Sequence, residues 1–215
     1  MQIDYIKNKY KNEYDIIIPF GRCCHTSMIL NDLKLRKCSL PFDWLIDSEN
    51  ELDDIETRCK LTLDYNDFLD SANIQIYRDK SFCDDAHYLC VEQKYKFSLW
   101  HDFLKTKSDR ENLVLTRFKY KRRFNRLNEI LNKANKIAFV HIVNTYDHMD
   151  EFNRNVDIEA LIGTLNAFAK HFKNVKIDFY LFEHSDVSSK GQIEEKHFQF
   201  NSGNIFSLSL TINIL

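Results

Sequence analysis

A pair of adjacent cysteines stands in the segment Gly21-Arg22-Cys23-Cys24-His25, directly after a nearly continuous apolar run at residues 14–20. The apolar run predicts a buried strand, and residues 26–35 predict a short helix. At a turn from strand to helix, unpaired backbone N–H groups and the helix dipole favour negative charge, so a thiolate would be stabilised there. The same N–H groups could hold a developing oxyanion. The segment therefore indicates a nucleophilic cysteine, with two buried structural thiols as the alternative.

A nucleophilic thiol needs a base, and His101 is the first candidate because it lies between aromatic neighbours in Leu99-Trp100-His101-Asp102-Phe103. Asp43, in the loop Ser39-Leu40-Pro41-Phe42-Asp43-Trp44, is the predicted carboxylate partner. Asp102 is less suitable, because adjacent residues of an extended segment point in opposite directions. His184 with Asp186 gives a second possible pair. A hydrogen-bonded structural histidine and a turn-capping aspartate remain the alternative interpretations.

The sequence contains no spacing typical of a resident metal or nucleotide. It has neither C-x-x-C nor H-x-x-x-H nor H-E-x-x-H, and neither G-x-G-x-x-G nor G-x-x-x-x-G-K-[ST] occurs. We therefore expect no metal site and no cofactor. The six cysteines of this 215-residue chain are expected to be reduced thiols, since a domain of this size does not need disulfides.

Composition restricts the possible partners. Lys and Arg number 30 against 32 Asp and Glu, which leaves a net charge of −2 and no general electrostatic case for binding nucleic acid. The longest apolar runs are far shorter than the ~20 residues that a membrane helix needs, so no membrane span is expected. The first 14 residues lack the apolar region of a signal peptide, which predicts a soluble, cytoplasmic protein.

The predicted elements alternate between strands and helices. Helices are predicted over residues 26–35, about 49–59, 109–133 and about 157–172; strands are predicted over 14–20, 72–78, 86–97, 136–143 and 175–183, with a late hairpin over 196–215 around Ser202-Gly203. The fold class expected is α/β, one domain over 1–215 with a central, mostly parallel sheet flanked by helices. Its site should lie at the carboxyl ends of the strands and include residues 21–26.

Several of these segments together resemble a family described as "putative papain-like cysteine peptidase", a bacterial and viral domain of unknown function. The matching features are Gly-x-x-Cys after an apolar strand, then Ser39-Leu40-Pro41-Phe42-Asp43-Trp44, then His101-Asp102-Phe103, and an Arg122-Arg123 pair on a helix. The resemblance covers about residues 14–145, and 146–215 would complete the sheet. By position it implies Cys24 as the nucleophile, with Cys23 at a variable site. Pro19-Phe20 departs from the small polar residue and Leu that relatives mostly have there.

The resemblance and the residues together predict a cysteine-dependent acyl-transfer enzyme, either a hydrolase or an acyltransferase. Cys24 would attack the acyl carbon, His101 would move the proton and Asp43 would orient the imidazole. The residues expected to bind substrate are Gly21, Arg22, Cys23, Trp44, Asp102, Arg122 and Arg123. The substrate is expected to be a small molecule, sugar or peptide, and the arginine pair predicts an anionic group on it. The alternative is a non-catalytic binding or accessory domain of surface-polysaccharide biosynthesis.

Overall fold

The computed structural model describes residues 13–21, 24–47, 51–79, 84–143, 158–172, 174–185, 192–201 and 204–213. These residues form four α-helices: α1 Cys24–Asp32, α2 Glu51–Leu63, α3 Asp109–Lys133 and α4 Ile158–Ala169. They also form nine strands: β1 Ile16–Pro19, β2 Leu45–Asp47, β3 Ile74–Tyr77, β4 His87–Glu92, β5 Phe97–Leu104, β6 Lys136–Val143, β7 Lys176–Ser185, β8 Gln192–Asn201 and β9 Asn204–Asn213. Short 3-10 turns span Pro41–Asp43 and Ser71–Asn73.

The first sheet has five strands in the order β1-β6-β7-β8-β9. Its strands β1, β6 and β7 are parallel, and β8 and β9 continue it as the predicted antiparallel hairpin. Ile16 and Ile18 of β1 join the main hydrophobic cluster, while Ile17 joins a smaller cluster on the opposite face. Burial on both faces is why β1 is a continuous apolar run, as predicted for a parallel strand.

The second sheet has four strands in the order β2-β5-β4-β3, all antiparallel. The expectation of one central, mostly parallel sheet is therefore wrong in part: the α/β class is correct, but the strands divide between two sheets. The physical reason is the four-residue connection between Glu92 and Phe97. It is too short for the helical crossover that parallel strands require, so β4 and β5 form a hairpin, with Lys96 at a φ of 59° in its turn.

Helix α3 has the bounds that its periodicity predicted. Ser108 caps its first turn in a reciprocal capping box with Glu111. Its apolar stripe packs on the turn and loop beside the second sheet: the ring of Phe124 lies 5.8 Å from that of Phe42 and is stacked 4.5 Å from that of Tyr65. Across the helices that the structure describes, no segment combines the length and hydropathy needed to span a membrane.

Candidate functional site

Cys24 is the first residue of α1, just beyond the end of β1. The Phe20 N–H donates to the carbonyl oxygen of Val140, 2.7 Å away, so the chain leaves the sheet beside β6. Cys24 is partly buried, and this burial raises the pKa of its thiol, although a backbone hydrogen bond opposes the shift. The sequence predicted a stabilised thiolate, and therefore a lowered pKa, so the raised pKa is the opposite of that prediction. Cys24 is therefore a protonated thiol, and a nucleophilic role for it would require a base.

The start of α1 is tied to the Pro41–Asp43 turn through a buried carboxylate. Asp43 is fully buried, and its Oδ1 accepts a hydrogen bond from Ser27 Oγ at 3.0 Å. Its Oδ2 accepts one from the Leu40 N–H at 3.0 Å and pairs with the Arg36 guanidinium. Both carboxylate oxygens are thus occupied by groups that hold the turn. The predicted role of Asp43 in orienting His101 stays a prediction that none of these contacts supports.

The same turn leads into Trp44, which lies beside His101. The two rings meet edge to face with centroids 6.0 Å apart. The contact follows from strand pairing, because Leu45 of β2 lies opposite Leu99 of β5. The imidazole of His101 is half exposed, at 48%. The Pro41–Asp43 turn therefore contacts α1 on one side and leads to the ring packed on His101 on the other.

The carboxylate of Asp84 lies beside His101, a contact that the sequence did not predict. Asp84 Oδ2 lies 3.6 Å from His101 Nδ1. Asp84 Oδ1 accepts hydrogen bonds from the backbone N–H groups of Ala86, at 2.8 Å, and His87, at 2.7 Å, and lies 2.9 Å from His87 Nδ1. Partial desolvation alone would raise the pKa of Asp84, but the hydrogen bonds from the His87 ring and these N–H groups lower it to about 2. Asp84 is therefore ionised beside two imidazoles.

Asp84 could have been found only from the register of the second sheet. His87, the first residue of β4, pairs with Leu104 of β5, and the register shifts between Tyr88 and Cys90. This pairing brings Asp84 and His87 alongside His101, although they are distant in sequence. Within the described residues, these three form a group whose ligand atoms could hold a metal ion.

Asp102 points away from His101, as the alternation of a strand requires. Its carboxylate pairs with Lys119 and accepts a hydrogen bond from the Tyr120 hydroxyl at 3.2 Å. Burial raises the pKa of Tyr120 well above its ordinary value, and the Asp102 charge adds to the effect. Asp102 thus connects β5 to α3, while its predicted role in binding substrate stays untested.

The two arginines of α3 diverge as helical geometry predicts. Arg122 is exposed, whereas Arg123 is only 7% exposed and its guanidinium lies 5.5 Å from the centroid of the Tyr120 ring. Nε and Nη1 of Arg123 are buried and form no hydrogen bond within the described part of the chain. Arg123 is therefore the member of the pair with unused donors in the protein interior.

The other predicted residues are less informative. Gly21 is buried at the end of β1, whereas Arg22 and Cys23 lie outside the described residues. His184 pairs with Ile193 through the β7–β8 ladder, and its suggested partner Asp186 lies outside the described residues.

One protein family matches most of this chain. The family carries the description "Putative papain-like cysteine peptidase", and the match covers residues 15–181. The chain belongs to this family. The match runs beyond the predicted residues 14–145, through α4 and into β7, so the matched region includes β1, β6 and the first six residues of β7. Searches of the curated proteins and of the solved structures gave no match.

Proposed function

We propose that the protein is a cysteine-dependent acyl-transfer enzyme, a hydrolase or an acyltransferase, with Cys24 as the nucleophile and His101 as the general base. The observation that carries the proposal is the Pro41–Asp43 turn. It contacts the helix that Cys24 begins, through Ser27, and leads directly into the ring packed on His101. Membership of a family described as papain-like supports the same chemistry.

In the proposed reaction, His101 accepts the proton of the Cys24 thiol while the sulfur attacks the acyl carbon. The S–H bond breaks and an S–C bond forms, and backbone N–H groups at the start of α1 hold the oxyanion. The imidazolium then gives the proton to the leaving group as its bond to the acyl carbon breaks. Water or a second acceptor next attacks the acyl carbon while His101 takes its proton, and that proton passes to the sulfur as the S–C bond breaks, which restores the thiol. The raised pKa of Cys24 makes the base essential, because little thiolate forms without it.

Within this proposal, Asp84 takes the orienting role that the sequence gave to Asp43. It is ionised and lies on the Nδ1 side of the His101 ring, so it would stabilise the imidazolium and leave Nε2 to exchange the proton. Asp43 has its oxygens occupied by Ser27, Arg36 and the Leu40 N–H. It acts as a positioning residue for the turn.

Alkylation of Cys24 tests the nucleophile and its base together. The parent and the His101→Gln variant are treated with iodoacetamide near pH 7, and modification of Cys24 is followed by peptide mass spectrometry. We expect Cys24 to react faster than a free thiol and His101→Gln to slow it by about 10²-fold, the lower end of a general-base contribution. His171→Gln is the matched control, because His171 is exposed beyond α4. Equal rates in the parent and His101→Gln would rule out the proposed base.

The carboxylate assignment has its own control in the neighbouring residue. Asp84→Asn removes the charge beside His101, whereas Asp85→Asn removes an exposed charge one residue later. We expect Asp84→Asn alone to slow alkylation of Cys24. The same slowing in both variants would mean that general surface charge, rather than orientation of His101, controls the thiol.

The proposed substrate carries a phosphate or carboxylate near Arg123. Within the described residues, the buried Nε and Nη1 of Arg123 form no hydrogen bond. A ligand anion would accept from both donors and offset the cost of burying them. The planar donors of Arg also suit bidentate binding of these groups. Sugar phosphates and coenzyme A derivatives belong to this class.

Calorimetric titration of a panel of such anions tests this assignment. Arg123→Lys should weaken binding by about tenfold or more, the loss expected for hydrogen bonds to a charged group. Arg122→Lys should leave binding unchanged, because Arg122 is exposed. Absence of binding by the parent, or equal effects of the two substitutions, would remove Arg123 from the proposed site.

A non-catalytic binding domain is the second candidate, and the raised pKa of Cys24 is the observation that favours it. In this case Cys24 is a partly buried structural thiol. The alkylation experiment separates the two functions, since a structural thiol reacts no faster than free cysteine and does not respond to His101→Gln.

A further inference from the structure

We propose that Asp84, His87 and His101 form a binding site for a divalent metal ion of the zinc type on the β4–β5 hairpin of the second sheet. Asp84 lies three residues before His87, which begins β4, and His101 lies in β5. The β4–β5 hairpin gathers the three side chains, and their ligand atoms all lie within 4.8 Å of one another. No such site was expected from sequence, because the two histidines are far outside the spacing of a helical or loop motif.

The distances suit a tetrahedral ion. Asp84 Oδ2 lies 3.0 Å from His87 Nδ1 and 3.6 Å from His101 Nδ1. Zinc binds nitrogen and oxygen at about 2.0–2.2 Å, so two ligands of a tetrahedral ion are about 3.3 Å apart. The observed separations lie on either side of this value. The imidazole rings are perpendicular, at 87° with centroids 5.8 Å apart, so the two nitrogens can approach one ion from different directions.

The chemistry of the ligands points to the same class of ion. Two imidazole nitrogens and one carboxylate are ligands that zinc and neighbouring transition metals accept, whereas magnesium and calcium prefer oxygen alone. Three protein ligands leave a fourth position for water, as in open zinc sites. Backbone N–H groups of Ala86 and His87 hold Asp84 in place, as surrounding hydrogen bonds commonly do for metal ligands. Lys105 binds the backbone oxygen of Asp84 at 2.7 Å, rather than its carboxylate.

The ion would have access from solvent. The side chains of His101 and Asp84 are about half exposed, and that of His87 is 21% exposed. A metal bound here would occupy the His101 Nδ1 and the Asp84 carboxylate. With an ion on Nδ1, the imidazole carries its hydrogen on Nε2 and cannot accept the proton of Cys24. Zinc would therefore inhibit the enzyme, a consequence that rests on the proposed function.

The site is tested with Co²⁺ and Zn²⁺ on the full chain. We expect the parent to bind one Co²⁺ with a visible spectrum typical of nitrogen and oxygen ligands, without the strong near-ultraviolet band of a thiolate ligand. Zn²⁺ should displace it. His87→Gln should weaken binding by roughly 100-fold, at least the effect of losing a surrounding partner of a metal ligand, while His171→Gln should bind as the parent does. Unchanged affinity in His87→Gln, or a thiolate band, would overturn the site.

A second measurement separates this inference from the proposed function. Zn²⁺ should slow alkylation of Cys24 in the parent and His171→Gln, but not in His87→Gln at the same concentration. Absence of metal binding would overturn the metal site and leave the roles of Cys24 and His101 intact. Binding of Zn²⁺ that is lost in both His87→Gln and His101→Gln, yet leaves Cys24 unaffected in the parent, would instead overturn His101 as the base.

Discussion

Glu92 should make the stability of this protein depend on pH in an unusual direction. It ends β4, is fully buried, and its Oε2 accepts a hydrogen bond from the Tyr95 N–H at 2.6 Å. Burial raises the pKa of Glu92 to about 7, against the opposing effects of that hydrogen bond and of Lys94. The folded protein therefore holds this proton more tightly than the unfolded chain does. Its contribution to stability is complete below pH 4.5 and is lost as the pH rises to about 7.

The size of the effect follows from the change in pKa. A rise from 4.5 to about 7 corresponds to about 3 kcal/mol, at about 1.4 kcal/mol for each tenfold change in proton affinity. Glu92 lies next to an exposed turn, where water and the Lys94 ammonium screen part of the penalty. We therefore expect about 1–2 kcal/mol of stability to be lost between pH 4.5 and pH 8.

Urea denaturation of the parent and Glu92→Gln at these two pH values measures the loss of stability. Glutamine keeps the shape of the side chain and cannot ionise. The free energy of unfolding of the variant should therefore rise by about 1–2 kcal/mol relative to that of the parent between pH 4.5 and pH 8. All other titrating groups cancel in this difference. Glu129→Gln is the control, because Glu129 is exposed on α3. A stability difference that is the same at both pH values would refute the reasoning.

Three further substitutions test the buried polar contacts. Asp43→Asn should lower the free energy of unfolding by about 3 kcal/mol in urea denaturation, because it leaves the Arg36 guanidinium without its partner; unchanged stability would contradict this. Arg58→Met should cost about 3–5 kcal/mol by removing the buried cation whose Nε lies 2.6 Å from the carboxylate of Asp54. The double variant with Asp54→Leu should recover most of this loss in thermal denaturation. Ser108→Ala should cost about 1 kcal/mol by removing the cap of α3, which circular dichroism during urea unfolding would measure.

Local signals explain the parts of the fold that were predicted from sequence. The bounds of α3 follow from the cap at Ser108 and a buried stripe that includes Tyr120, Phe124 and Leu127. Strands β1, β6 and β7 are short apolar runs that need burial on both faces, and each was predicted near its observed position. Such signals lie within one element, so a single sequence contains them.

Strands β2 and β5 of the second sheet, and the pairing of its strands, could not be predicted in the same way. Strand β2 has only three residues, and β5 exposes Trp100 and His101 in the middle of its alternation. The hairpin turn has Lys96 in the left-handed region, where sequence reasoning expects Gly or Asn. The position of Asp84 depends on this turn and on the irregular register of β4. The carboxylate beside His101 was therefore missed because its placement is a long-range property of strand pairing.

The contacts of Asp43 explain its burial in a rigid loop without reference to catalysis. A charge in that position needs donors, and Ser27, Arg36 and the Leu40 N–H supply them. The same contacts hold α1 against the turn that leads to Trp44, so loss of Asp43 would disturb the positions of both Cys24 and His101. A fall in Cys24 reactivity in Asp43→Asn is thus compatible with a purely positional role. Only a substitution that leaves the turn intact and removes the charge beside His101, as Asp84→Asn does, can assign the orienting carboxylate.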